Sequence, residues 1–300
     1  MNFVPLAEEG IFQPLELKPD VLENVPAELG GVRLYDPRMR WIGAAVSAFG
    51  FIYNEGMLEK CGISPPRTWD DLAEERFAGL LCLADPTQSG SAGASYQAVA
   101  QSADTWAEGW EKLLRILANA RTFTDSAGSA ADAPVVGEAL VASCIDFYGA
   151  IRVAMAPDEL AYVSPRGQTA FTPDPIGILK NPPNPELAGQ FVEFVMSRQG
   201  QALWALRVGE EDGPVRKALG RQPVRRDVYE DEKYRGKFVG GIVNPYEAGQ
   251  TMKMTARRRR IKYGVLVQLV RAAAIDKAEG LRAARRKLIE TNFDADLLAQ

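Results

Sequence analysis

The sequence contains no histidine. That absence excludes Ser-His-Asp and Cys-His catalysis, excludes any histidine-ligated metal site, and removes the commonest general base. Cysteine is scarce. Cys61, Cys82 and Cys144 are spaced in neither a zinc pattern nor a CxxC redox motif. Cys82 and Cys144 sit inside apolar strand candidates and read as small core residues, whereas Cys61 lies in a loop-like stretch. No run is long and apolar enough to span a bilayer, since Gly264–Ile275 is short and is interrupted by Gln268 and Arg271. The opening MNFVPLAEEGIFQPL has neither a basic segment nor a long apolar core, so no signal peptide is readable in it. Taken alone, that opening predicts a cytoplasmic protein.

An excess of positive charge is also missing. The formal net charge of −4 argues against a general nucleic-acid or membrane-surface role. The local exception is the run Arg257–Arg260, with Arg282, Arg285, Arg286 and Lys287 further on, which reads as a solvated basic helix face.

What is present is an ordinary globular composition, 46% hydrophobic and 25% charged, in 300 residues, enough for one large or two medium domains. The most informative stretch is Leu80–Ala100, LLCLADPTQSGSAGASYQAVA. A short apolar run closed by Asp85-Pro86 predicts a buried strand. Ser89-Gly90-Ser91-Ala92-Gly93 then leads into an alanine-rich segment with helical spacing. A strand, a Ser/Gly turn and a helix start in that order aim amides and hydroxyls at one spot, where the helix dipole favours negative charge. Such a turn is an anion cradle, or Ser89 and Ser91 simply cap the helix.

A second stretch repeats the pattern. Phe123–Ser129 places small hydroxyl residues, Ser126 among them, before a helical run at Ala130–Val136. Gly137-Glu138 closes that helix, and Ala139–Ile145 reads as a buried strand ending in Asp146-Phe147-Tyr148. Ligand sites of open α/β sheets lie beyond the carboxyl ends of strands, so both turns and the strand-end Tyr148 are expected to face one cleft.

Elsewhere, Val32–Tyr35, Trp41–Asn54, Leu160–Val163 and Ile176–Leu179 read as strands. Thr68 is an N-cap candidate, with Asp70 and Asp71 in the first turn. Trp106–Ala118 is an amphipathic helix whose Trp106 and Trp110 read as core residues. A helix over Glu186–Ser197 is expected to bury Ala188, Phe191, Val192 and Val195, and a second helix comes next at Gly200–Leu206. Gln222–Tyr229 reads as an irregular surface segment. The last sixty or so residues read as helical, with Leu266, Leu269, Val270 and Ala273 on one face and Leu281, Ala284 and Leu288 on another. Alternating strands and helices make this an α/β protein.

Five segments, in order, resemble the solute-binding proteins of ABC importers, of the ferric-iron-binding kind. They are AFGFIYNEGML (48–58), PPRTWDDLAEERFAGLLCLADPTQSGSA (65–92), TDSAGSA…GEALVASCIDFYG (124–149), TPDPIGILKNPPNPELAGQFVEFVMSRQGQALW (172–204) and GPVRKALGRQPVRRDVY (213–229). The resemblance implies a two-lobed periplasmic-binding-protein fold of the type II-like kind. It places one lobe at 1–40 and 176–225, the other at 49–170, and the crossings at 41–48 and 171–175. Residues 226–300 are expected to form helices packing mainly on the second lobe. Members of the family start with a strand–helix unit, and the opening of this chain resembles the helix and loop beyond that unit. The first lobe is therefore expected to be incomplete, with the chain a fragment.

The same resemblance assigns ligand contacts to Ser89, Gly90, Ser91, Ser126 and Tyr148. It implies no catalysis and no resident cofactor. The implied ligand is ferric iron, with Tyr148 as a metal ligand, or a small oxyanion or phosphonate. Members with iron often carry two adjacent tyrosines, whereas Gly149 follows Tyr148 here. The implied partner is an inner-membrane permease, the implied compartment the periplasm, and the implied state a monomer that binds no nucleic acid. The alternatives are an enzyme on a similar scaffold, with Tyr148 or Asp146 as acid or base, and a ligand-sensing module of a receptor.

Overall fold

The computed structural model describes residues 3–291. In chain order the larger elements begin with β1 (Ile42–Ser47), β2 (Phe49–Asn54) and β3 (Leu81–Ala84). Next come α1 (Gly90–Ser102), α2 (Trp106–Ala118), β4 (Ala120–Thr124), α3 (Ala127–Val136) and β5 (Val141–Ile145). After these lie α4 (Asp146–Met155), β6 (Leu160–Val163), β7 (Thr172–Ile176), α5 (Pro185–Met196) and α6 (Arg198–Ala205). The last elements are α7 (Tyr263–Val270), a π turn at Arg271–Ile275, and α8 (Ala278–Glu290).

The chain divides into two compact units. Unit 1 comprises residues up to 48, 146–157 and 170–254; unit 2 comprises 49–145, 158–169 and the residues from 255 on. The segments read as crossings, 41–48 and 171–175, pair with each other in unit 1; the first ends where the chain leaves that unit and the second begins one residue after the chain re-enters it. The Trp41–Asn54 run breaks at Ala48 into β1 and β2, which belong to different units. Of the C-terminal stretch, 226–254 belong to unit 1, the residues from 255 on to unit 2, and 292–300 lie outside the described residues.

Unit 1 is built on short antiparallel pairs. β1 pairs with β7, with Thr172 opposite Ser47 and Ile176 opposite Ile42, and a register shift between Asp174 and Pro175. Prolines remove ladder donors, which is why this two-proline strand has one partner and a bulge. Phe12–Gln13 pairs with Ile178–Leu179. The core gathers Leu34, Ile42, Val46, Phe171, Val192, Val195, Met196 and Val224.

Two expectations fail in this unit. Helix α5 buries Val192, Val195 and Met196 but leaves Phe191 59% exposed, beside exposed Leu187 and Phe194. Among the described residues nothing covers that second apolar stripe at i, i+4 and i+7. The Gln222–Tyr229 segment, expected on the surface, is largely interior: Gln222, Val224, Arg225 and Val228 are buried. Partners distant in sequence make this tolerable. Gln222 O accepts from Val46 N (3.0 Å), Gln201 Oε1 accepts from Val224 N (2.8 Å), and the Arg225 guanidinium pairs with Asp227 and Asp20 (2.8 and 3.0 Å). A buried charge is acceptable only when paired in this way.

Unit 2 holds one five-stranded sheet, in the order β4-β3-β5-β2-β6. β3 runs parallel to β4 and β5, whereas β2 is antiparallel to β5 and β6. Gly50 on β2 is required by packing, since a Cβ there would fall 1.9 Å from the Val163 carbonyl oxygen. Phe51, Trp69, Phe77, Leu81, Leu83, Tyr96 and Leu113 are buried around the sheet. The Thr68 cap is present as a capping box with Asp71. Trp106 does not join the core: it is 44% exposed and stacks on Trp110, with ring centroids 5.9 Å apart. Cys82 and Cys144 are buried and Cys61 is exposed. Burial pushes the Cys82 thiol up to about 11. Arg285, read as solvated, is buried, donating to Asn119 Oδ1 (3.2 Å) and to Ala73 O (2.7 Å).

Candidate functional site: two helix starts joined through Ser89

β3 and β4 lie side by side and parallel, and each leads through a short turn into a helix, α1 after β3 and α3 after β4. β5, where α3 leads, lies on the opposite side of β3 from β4. The connections therefore diverge at the carboxyl ends of β3 and β4, the place where open α/β sheets bind ligands.

The first turn is shaped by Asp85. Its amide donates to Thr124 O (2.8 Å), which extends the β3–β4 pairing, and its Oδ1 accepts from Thr87 N and Oγ1 (2.8 and 2.7 Å). Burial pushes the Asp85 carboxyl up, but the Thr87 bonds and the Arg271 guanidinium outweigh it and hold the group below the ordinary carboxylate range. Ser89 comes next, in extended conformation, as the N-cap of α1, with its Oγ accepting from Ala92 N (3.4 Å). The same Oγ accepts from Ala127 N (3.2 Å), the first amide of α3. Ser91 Oγ lies 3.3 Å from Ser89 Oγ. Ser126 caps α3 by accepting from Ser129 N (3.0 Å), and the two hydroxyls are 2.8 Å apart.

Two helix N-termini thus share one hydroxyl, with Ser89, Gly90, Ser91 and Ser126 grouped around them. Both turns are serine-capped, by Ser89 at α1 and by Ser126 at α3. Ser89 is buried and spends its oxygen on backbone amides, whereas Ser126 is exposed. Summed dipoles and first-turn amides make this spot favourable for an anion.

Tyr263 and Arg271, which sequence reasoning did not single out, support the turn. The Tyr263 hydroxyl donates to Gly90 O (3.1 Å), and its ring packs on Gly93, where a Cβ would fall 2.7–2.9 Å from it. Arg271 pairs with Asp85 and, at 2.8 Å, with Asp276. The readable signal was the glycine at 93 inside a helix, but its partner lies 170 residues away.

Tyr148 belongs to unit 1 and does not end a strand. Helix α4 begins at Asp146, so Tyr148 sits in its first turn, its ring 4.6 Å from Phe147 and its carbonyl accepting from Arg152 Nη1 (3.0 Å). The cause is Asp146. Its buried carboxylate accepts from Phe147 N (2.8 Å) and from Ala48 N (2.9 Å). Burial pushes its pKa up to about 7. Nearby, Arg221 lies 4.0 Å over the Phe147 ring and pairs with Asp174 (2.7 Å), which also accepts from Ser47 Oγ (2.6 Å). Among the described residues no group of three Cys, Asp or Glu side chains is placed to hold a metal ion.

The elements and their order are those of a binding protein built from α/β lobes. The chain belongs to the bacterial extracellular solute-binding protein family, whose pattern matches residues 3–234. It is 25% identical over 185 residues to the phosphoglycerate transport regulatory protein PgtC of Salmonella typhimurium, covering 62% of this chain and 46% of that protein. The chain thus spans less than half the length of that relative. Among solved structures it is similar to the periplasmic binding protein AfuA of Actinobacillus pleuropneumoniae, seen with fructose-6-phosphate (TM-score 0.56, 19% identity, 89% of this chain and 78% of that one). It is also similar to iron-bound HitA of Pseudomonas aeruginosa (TM-score 0.59, 20% identity, 89% and 79%). These likenesses establish the fold of two-lobed periplasmic binding proteins.

Proposed function

We propose that the chain is the capturing component of an ABC importer, a monomer that works in the periplasm and hands a small oxyanion of the phosphate-ester kind to an inner-membrane permease. The observation that carries this reading is the single Ser89 oxygen bonded to both helix starts, Ala92 N of α1 and Ala127 N of α3. That arrangement fixes two dipole ends toward one anion without spending a charged side chain. Ser89, Gly90, Ser91 and Ser126, all in unit 2, hold the anion. The Salmonella relative named for phosphoglycerate transport, and AfuA with its bound fructose-6-phosphate, support the ligand class.

Ferric iron, held through hard anionic donors such as the Tyr148 phenolate, is the alternative ligand. Catalysis is not proposed. Asp146, the carboxylate considered as an acid or base, is 1% exposed and uses both oxygens on backbone amides. A ligand-sensing role in regulation is a second reading, favoured by the name of the Salmonella relative; it uses the same capture chemistry with a different partner.

The test is isothermal titration with 3-phosphoglycerate, fructose 6-phosphate, inorganic phosphate and ferric citrate. A phosphate ester is expected to bind, and the Ser89→Ala/Ser126→Ala double variant to lose about 1–3 kcal/mol of that affinity, the worth of hydrogen bonds to a charged group. Binding of ferric citrate alone, or unchanged affinity in the double variant, overturns the reading. Finding permease and ATPase genes beside this one would favour import over sensing.

A further inference from the structure

Between Glu247 and Asp276 the sequence has no acidic residue, and within that span lie Arg257, Arg258, Arg259, Arg260 and Lys262. In unit 2 the arginines form a 3₁₀ turn that leads into α7. Arg257, Arg259, Arg260 and Lys262 are all exposed. The helix they lead into does not hide its apolar side. Leu266, Val267 and Val270 are buried, but Val265 is 59% exposed and Leu269, one turn on, is 39% exposed. The sequence pattern alone puts Leu269 on the buried face, and the structure does not. A concavity of about 310 Å³ brings Val265 together with Trp106, Arg257, Arg260 and Lys262. Trp106 itself is exposed. The one acidic side chain lining the concavity is Asp104, which pairs with Arg257 (3.1 Å). The backbone beneath is anchored, with Gln97 and Gln101 donating to the carbonyls of Ile261 and Arg258 (2.7 and 3.0 Å).

We propose that this face, with Arg259, Arg260 and Lys262 beside Trp106, Val265 and Leu269, docks on an anionic lipid bilayer. Clustered cations gain from the negative surface potential of such a membrane. Apolar side chains gain by entering the headgroup boundary, where tryptophan is also favoured. Val265 and Leu269 select this occupant over nucleic acid, whose phosphates reward the cations and leave two exposed aliphatic side chains without a use. The overall charge of −4 opposes general membrane adhesion, so docking is confined to this one patch. The proposal goes beyond ligand capture and does not rest on it.

The test is co-sedimentation of the full chain with phosphatidylglycerol/phosphatidylcholine vesicles and with phosphatidylcholine vesicles, at low ionic strength. Binding to the anionic vesicles only is expected, with a blue shift in tryptophan emission that Trp106→Phe diminishes. Each cation removed is expected to cost roughly fivefold in partitioning, so Arg259→Gln/Arg260→Gln/Lys262→Gln loses about a hundredfold. Its melting temperature, measured alongside, separates lost docking from lost folding, and Arg260→Gln/Lys262→Gln, which leaves Arg259 in place, is expected to lose about twenty-five-fold. Val265→Ser/Leu269→Ser keeps every charge and is expected to lose the blue shift and several-fold in binding. Equal binding to neutral vesicles, wild-type binding by the triple variant, or wild-type binding and blue shift in the serine pair overturns the proposal. So does release by millimolar inorganic phosphate at matched ionic strength, which would mark a site for a free anion. So does capture of an acidic peptide in place of vesicles.

Discussion

The Ser89 hydroxyl oxygen accepts a hydrogen bond from the amide of Ala127, 38 residues further along the chain, at 3.2 Å. A capping serine ordinarily serves its own helix. Here it ties the first amide of one helix to the start of another, so the separation of two positive dipole ends is fixed by one atom.

Stability should register that double duty. Ser89→Ala orphans the Ala92 and Ala127 amides, in a place Ser89 keeps buried. A cost of about 2 kcal/mol is expected, at the upper end for a lost cap. Ser126→Ala removes one exposed cap and should cost about 1 kcal/mol or less. Urea unfolding of both variants checks this. Equal costs would mean that the bond to Ala127 contributes nothing.

Close contact between Gly93 and Tyr263 predicts non-additivity. A Cβ at residue 93 would fall 2.7–2.9 Å from the Tyr263 ring. Gly93→Ala should cost about 1–3 kcal/mol in the native chain, as overpacking does. In a Tyr263→Ala background the same change should cost little. A double-mutant cycle on unfolding midpoints reads the difference, and additive costs would show that the two residues do not touch.

Much of this was legible locally. Ser89 and Thr68 announced themselves as caps because a cap is decided within three residues, and the Trp106–Ala118 helix has the bounds its spacing predicts. What was illegible depends on distant partners. Gln222–Tyr229 looks superficial until Gln201, Val46 and Asp20 arrive to satisfy it. Trp106 looks like core because its spacing is helical, yet spacing does not say what covers that face. Tyr148 looks like the end of a strand because an apolar run precedes it, while the buried Asp146 carboxylate starts a helix one residue past the strand.

The uncovered stripe on α5 makes a further prediction. Leu187, Phe191 and Phe194 are 60%, 59% and 47% exposed on one helix face. Exposed apolar surface of this kind binds hydrophobic dyes and promotes association. The 300-residue chain should enhance ANS fluorescence, and Leu187→Ser/Phe191→Ser/Phe194→Ser should abolish most of that enhancement without lowering the unfolding midpoint. Undiminished dye binding in the variant would locate the apolar surface elsewhere.

Asp146 sets the pH dependence of stability between about 4 and 7. Burial raises its folded pKa from 3.8 to about 7, with the Asp174 charge adding to the rise and the Ala48 and Phe147 amides and Arg221 opposing it. In the unfolded chain the group ionises near 3.8. Below that value both states are protonated and the group takes nothing from stability. As the pH rises toward 7 the unfolded state releases its proton first, so stability falls, by at most about 1.4 kcal/mol per pH unit. Above 7 the loss is complete. Asp36, Asp71, Asp85, Asp212 and Asp227 have lowered values, so their contributions are lost only as the pH falls through and below their ordinary range. They therefore do not mask the window above 4.5. Urea midpoints at pH 4.5 and 7.5 should fall with rising pH in the native chain. In Asp146→Asn they should be nearly flat, because the amide cannot ionise. A native chain as stable at pH 7.5 as at 4.5 would mean that the Asp146 carboxylate is already ionised at the lower pH, held by the two amides that point at it.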